Sequence, residues 1–423
     1  MNEKNNRLAQ GLRQIAQGFE ELANVVQEYD DEIDRTEIMD AIGKDNTQLP
    51  DLTEQIKDEG KPFPTLLSVN LPGQIGHPDN WWNQKQKHVG TYPSSREQTE
   101  NLQRILTATH NWGLGSADGR TGVPTDYWLP KLDINMKESE PYGHHINHIY
   151  EDTDVKYVVP QKYTLDGPYD PHGDYLRVPV SPTFNLQNFG DSADSHLYVV
   201  DHVRREIREY YHVRNYGQPN MSTGLATVYP LDVVSPSRGL GCTSSNAAGD
   251  VYAPMLLTPD DFVRGRINRA VPITLTNLVP TGTTFIEPAQ HTPPLNLGDR
   301  AGIMPYGARF LLDENFPVDN IPNKHAQTIL RAAQEYGFYH IDGINGQSLI
   351  PCCNDTGFTN KWRDIPDMHP SVMWFYPELP EWTDFRMLDG EVHSMSDVRC
   401  VRQQVDERER MSTPAEVLEI LGA

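Results

Sequence analysis

The sequence predicts a mainly β protein, a sandwich or open barrel with a few helices, carrying an N-terminal coiled-coil α-helix. Three observations lead there. Proline (33) and glycine (31) are spread along the 423 residues, which suits short strands joined by turns. Strand-like runs outnumber helical ones and lack the regular strand–helix alternation of a parallel α/β sheet. Residues 8–33 hold a sustained heptad.

That heptad is the sharpest pattern in the chain. Leu8, Leu12, Ile15, Phe19, Leu22, Val26, Tyr29 and Ile33 are separated alternately by four and three positions, the spacing that keeps one apolar edge against a partner helix. Ala9, Ala16 and Ala23 flank the seam on one side, Gly11 and Gly18 on the other. Each glycine costs a helix about 1 kcal/mol relative to alanine, and close approach of neighbouring helices offsets this. A helix lying on its own domain is the competing reading. The acidic stretch 30–40 argues against such a buried return path. Self-association into a homo-oligomer, such as a trimer, is therefore expected. The chain divides into a coiled-coil helix (1–44), a polar, proline-punctuated linker (45–65), a β-rich globular domain (66–395) and a tail (396–423). In the tail Thr413-Pro414-Ala415-Glu416 signals one short helix.

Within the globular domain a helix is expected after Ser94 or Ser95. Leu102, Ile105, Leu106 and Thr109 share its face, and Gly113 can close it. Thr258-Pro259-Asp260-Asp261 supplies a cap, a first-turn proline and two acids that favour the helix dipole. A third helix spans 323–336 and stops at Gly337. Strands are expected at 156–159, 196–202, 206–213, 273–278, 283–286, 308–312 and 338–341, with a hairpin turn at 203–205.

A formal charge of −23 disfavours nucleic acid and anionic membranes as partners, because phosphate binding relies on clustered Lys and Arg. No stretch is long and apolar enough for membrane insertion. Residues 1–27 lack the apolar core of a signal peptide. The expected location is the cytoplasm, or a virion or extracellular site reached without a cleaved signal. Cys242, Cys352, Cys353 and Cys400 form no Cys-x-x-Cys, and reduced thiols are expected.

Several groups could carry chemistry. His144, His145 and His148 are the nearest approach to a zinc site, although a solvated loop is the plainer reading. Asp166, Asp170 and Asp174 could surround Ca²⁺, but their spacing is not that of an EF-hand. No cofactor is required by any motif. His196, beside Asp194 and Asp201, and the pair Glu287 and His291 are candidate catalytic groups for acid–base work. Trp81 and Trp82, between Asn80 and Asn83, could stack on sugar rings, with Arg309 as a polar contact. Aromatic pairs are more often core. Nucleophile-elbow, P-loop and dinucleotide fingerprints are absent.

The order of motifs from His77 to about Asp342 resembles an uncharacterised family of mostly secreted bacterial proteins. The matching pieces are His77-Pro78-Asp79-Asn80-Trp81-Trp82-Asn83, Ser195-His196-Leu197-Tyr198-Val199-Val200-Asp201 and Ser244-Ser245-Asn246-Ala247-Ala248-Gly249. They continue with residues 265–270, Glu287-Pro288-Ala289-Gln290-His291, Tyr306-Gly307-Ala308-Arg309-Phe310 and residues 330–337. The resemblance implies a β-rich domain and no particular reaction. Asn246 stands where the family pattern has Asp, and Arg269 where it has His; the coiled coil is foreign to it. The first functional expectation is an oligomeric stalk-and-head protein, a fibre, spike or adhesin of a virion or cell surface that binds polysaccharide multivalently. The alternative is a polysaccharide-degrading hydrolase or lyase.

Overall fold

The computed structural model describes residues 71–398, apart from 112–128, 135–142, 164–176, 188–193, 277–281, 294–303, 345–347, 355–359 and positions 159, 161, 238 and 375. The heptad seam, the linker, the tail beyond 398 and the Asp166, Asp170 and Asp174 loop therefore lie outside the described residues. Within them the chain is mainly β, with strands in several sheets and few helices.

The largest sheet runs in the order β1 (Lys131–Asp133), β14 (Leu349–Pro351), β10 (Val271–Thr276), β13 (Phe338–Ile344), β12 (Arg309–Leu312) and β15 (Phe385–Met387). It is mixed: β1–β14 and β10–β13 are parallel, while β12 pairs antiparallel with β13 and β15. A second sheet orders β2 (Ile146–Ile149), β6 (Leu197–Asp201), β7 (Glu206–Tyr211) and β9 (Leu225–Pro230), with β2–β6 parallel and the rest antiparallel. Three ribbons complete the set: β3 (Lys156–Val158) with β5 (Val178–Val180), β4 (Lys162–Tyr163) with β8 (Ser222–Thr223), and β11 (Thr284–Ile286) with β16 (Val392–Ser394).

Local chemistry explains the best-defined elements. The β6–β7 hairpin turns where the Asp201 carboxylate accepts the backbone N–H of Val203 (3.0 Å) and Arg204 (2.8 Å), and Arg205 takes φ 59°. Helix α1 (Ser95–Asn111) buries Leu102 and Leu106. Helix α2 (Pro259–Arg264) starts at the expected capping box of Thr258 with Asp261. Helix α3 (Lys324–Glu335) is capped by Asn323, whose side chain accepts from His325 N (2.8 Å) and Ala326 N (3.0 Å). It ends before Gly337, whose φ of +84° a side chain rarely adopts.

Strand β10 reads Val-Pro-Ile-Thr-Leu-Thr and is buried throughout, as a strand covered on both faces must be. One hydrophobic core joins the six-stranded sheet to α1, α2 and α3 through Leu102, Phe262, Ile273, Phe310, Ile329 and Leu330. A second joins the two main sheets: Tyr198, Ile207 and Tyr229 of one pack with Tyr339 and Ile341 of the other. The segment 244–253 is enclosed in this second core.

Two expectations change. The stretch after Gly143 is strand β2 rather than loop, because parallel pairing with β6 supplies its backbone partners from across the chain. Reduced thiols hold for Cys352 and Cys353, which are buried and free, but Cys242 is disulfide-bonded. Among the described residues no helix is long and apolar enough to cross a membrane.

Candidate functional site

Segment 244–249 reads Ser-Ser-Asn-Ala-Ala-Gly, side chains small enough to let several strands close around it. Gly249 has φ +74°, and a Cβ there would lie 2.4 Å from the Cys242 carbonyl oxygen and 2.7 Å from His291 Cβ. Only glycine fits.

Four distant elements grip this segment by hydrogen bonds. From β7, Glu209 Oε2 accepts the Ser245 hydroxyl at 2.6 Å, while Oε1 accepts the N–H of Tyr252 and Ala253, both at 2.7 Å. His196, ahead of β6, places Nε2 3.0 Å from Ser245 O; the carbonyl can only accept, so Nε2 carries the proton. From β13, Asp342 Oδ2 accepts Ala247 N (3.2 Å) and Oδ1 accepts Gly343 N (2.7 Å). Beyond β11, His291 donates through Nδ1 to Ala247 O at 3.0 Å. Asn246 Nδ2 donates to Asp250 O at 2.7 Å, and its buried Oδ1 has no partner.

Burial sets the electrostatics. Loss of hydration drives the Glu209 carboxyl up to about 7 even though the Ser245 hydroxyl and two backbone N–H groups pull it back. Asp250 is likewise pushed to about 7 by burial; Val251 N–H and the Tyr339 hydroxyl oppose this, and Glu209 adds to it. Burial also raises Asp342 to about 7, with the charge of Asp194 reinforcing the shift. His196 goes the other way, lowered by burial against the pull of Asp194, and His144 falls well below the usual histidine range. Three carboxyls thus hold protons near neutrality around one loop, beside neutral imidazoles. Such clustering of shifted groups is a mark of functional sites.

Aromatic rings pack over the loop. His196 stacks on Tyr198 at 5.3 Å between centroids, His144 lies 5.2 Å from His196 and 5.1 Å from Tyr252, and Tyr211 lies 5.1 Å from His196. Asp342, Tyr211 and Ala247 are half-buried, so this side of the cluster lies nearest to solvent.

A separate cleft of about 360 Å³ lies beyond Asp250, lined by Trp81, Asp250, Glu287, Gln290 and Arg309 among others. Tyr339 donates its hydroxyl to Asp250 Oδ2 at 3.2 Å, and Trp81 packs edge-on to Tyr339 at 4.5 Å. Arg309 spends one N–H on Gln86 Oε1 (2.9 Å) and one on Asp389 O (2.7 Å), both neutral acceptors.

The sequence candidates land unevenly. His196 and His291 meet on segment 244–249. Glu287 is at the cleft rim, where His393 Nε2 lies 3.1 Å from its Oε1, and Trp81 and Arg309 line the cleft. Trp82 is fully buried and donates to Ile75 O (3.1 Å), which makes it core rather than a sugar platform. His144, His145 and His148 do not converge on one point among the described residues: His144 pairs by an isolated bridge with Cys353, while His148 Nδ1 lies 3.0 Å from His202 Nε2. Arg269 is locked in a buried ion pair with Asp261 at 2.7 Å. Sequence reasoning missed Glu209, Asp250 and Asp342. Glu209 and Asp342 stand in strand-like runs, Ile-Arg-Glu-Tyr-Tyr and Tyr-His-Ile-Asp, whose charged or titratable neighbours Arg208 and His340 leave nothing to mark the acids as buried. Compared with protein-family models, curated proteins and solved structures, the chain matches none of them, so the site's chemistry must be read from its own geometry.

Proposed function

We propose that the β-rich unit is a polysaccharide-degrading enzyme working by acid–base catalysis at the cluster around segment 244–249. The observation that carries this reading is the convergence of Glu209, His196, His291 and Asp342 on that segment, with Glu209 and Asp342 poised near pH 7. Cleaving or eliminating a glycosidic bond needs a group able to give or take a proton near neutral pH. Asp342, half-buried on the side nearest to solvent, takes that role. His196, held between Ser245 O and Gln187 Oε1, and Glu209, bonded to Ser245, Tyr252 and Ala253, are buried and act as positioning residues. The neighbouring cleft, with Trp81 beside Arg309 and Gln290, suits an adjoining sugar ring.

A second reading keeps the stalk-and-head protein, in which the heads bind polysaccharide without turning it over. The seam from Leu8 to Val26 favours it, since multivalency strengthens weak head binding. The disulfide at Cys242 suits an oxidising site outside the cytoplasm under either reading.

Incubation with neutral and uronate-containing polysaccharides separates the two. Turnover predicts new reducing ends, with unsaturated ends as well if the reaction is an elimination, and their loss in Asp342→Asn. Retention of polysaccharide with no new ends from any substrate would leave the binding reading standing instead.

A further inference from the structure

At the rim of the cleft the ribbon β11–β16 brings three ligating side chains to one face. The register pairs Phe285 with His393 and Ile286 with Val392, and Glu287 N donates to Glu391 O at 2.9 Å. Strand side chains alternate, so His393, Glu391 and Glu287 project from the same side. One ligand atom from each lies within 4.8 Å of the other two. Among the described residues this is the one group of three or more His, Cys, Asp or Glu side chains that does so.

Two features separate the trio from an ordinary acidic patch. The first is His393. Its side chain is only 12% exposed and its ring rests on Phe285 at 5.4 Å, which holds Nε2 toward the carboxylates. The second is the placing of Glu287 and Glu391 directly across the ribbon, where like charges oppose each other at a cost. Among the described residues the ion pair formed by either carboxylate is that of Glu287 with His393, with no lysine or arginine bridging the two. A cation between them removes the repulsion.

We propose that Glu287, Glu391 and His393 bind a divalent first-row transition metal, of which zinc is the working probe. An imidazole ligand disfavours Ca²⁺ and Mg²⁺, which take oxygen donors. Two carboxylate oxygens and one imidazole nitrogen match the ligand types of zinc sites with three protein ligands, which leave a coordination position open. Glu287 also lines the cleft, so the site borders the space where a hydroxyl-bearing ligand would sit. The site goes beyond the acid–base reading of the cluster around segment 244–249 and stands without it. It recasts Glu287 as a ligand.

Zinc titration of the chelator-treated full chain, followed by calorimetry, tests this. One saturable zinc site per chain is expected, weakened about tenfold or more by Glu287→Gln and by His393→Ala, and not displaced by excess Ca²⁺. All three positions are on an outer ribbon, so unchanged circular dichroism should accompany both variants. His148→Ala, at the separate histidine pair, should leave the affinity as it was. Absence of saturable binding, affinity untouched by both ribbon variants, or affinity lost in His148→Ala would each overturn the assignment, and none of them bears on turnover at segment 244–249.

Discussion

Ser245 and Glu209, 36 residues apart in the chain, are joined by a 2.6 Å hydrogen bond that fixes segment 244–249 to the four-stranded sheet. The same carboxylate holds the N–H groups of Tyr252 and Ala253. Glu209→Ala strands three buried donors at once and is expected to cost about 3 kcal/mol or more. Glu209→Gln keeps Oε1 as acceptor and offers its amide to the Ser245 oxygen, so about 1 kcal/mol is expected. Urea unfolding of both variants measures the difference.

The pH dependence of stability follows from opposed groups. Asp342 has a folded pKa of about 7 against an ordinary value of 3.8. Its contribution is complete below the ordinary value and is lost as pH rises through about 7. Burial lowers His145, His148 and His340 to about 4, so theirs is present above the ordinary 6.5 and lost as pH falls through about 4. Asp250 and Glu209, also raised to about 7, act in the same sense as Asp342, so the carboxyls offset part of the histidines' effect between those limits and flatten the profile there. Asp342→Asn isolates one term: the variant should gain stability relative to wild type between pH 5 and pH 8, as read by unfolding at about these two values.

Helix α3 tests the reading of local signals. Asn323 satisfies two first-turn N–H groups, and Asn323→Ala should cost about 1 kcal/mol, seen as a lower thermal midpoint.

The Arg269–Asp261 pair offers a coupled test. Asp261→Ala leaves a buried guanidinium uncompensated and should cost about 3–5 kcal/mol. Replacing both, as Asp261→Ala with Arg269→Met, should cost less than the single change. A double-mutant cycle by chemical denaturation reads this coupling.

Much of the fold was legible where local chemistry decides it. The Thr258 capping box, the stop at Gly337 and the turn after Asp201 each rest on neighbours within a few positions. Strands β2 and β9 were not, since β2 finds its partner in β6 some fifty residues on, and β9 pairs along β7 without a sharp pattern of its own. The site was half legible. His196 and His291 announce themselves as histidines beside acids or prolines. Glu209, Asp250 and Asp342 look like ordinary surface acids until burial is known, and burial is a property of how the two sheets meet. Trp82 misled for the same reason.

The heptad from Leu8 to Val26 predicts assembly in solution. Light scattering should return a mass above the 48.0 kDa of one chain. Removing residues 1–44 should return single heads. A full-length protein that stays at one-chain mass at micromolar concentration would end the stalk reading.

The three carboxyls around segment 244–249 are the physical premise of the proposed chemistry, and a carbon-detected NMR titration of the Asp and Glu side chains observes them directly. Three carboxyl resonances titrating near pH 7 are expected, assigned to Glu209, Asp250 and Asp342 by their absence in the corresponding amide variants. If every carboxyl instead finished titrating below about pH 5, in the range of ordinary exposed acids, none would be poised to exchange a proton at neutral pH and the account would be contradicted.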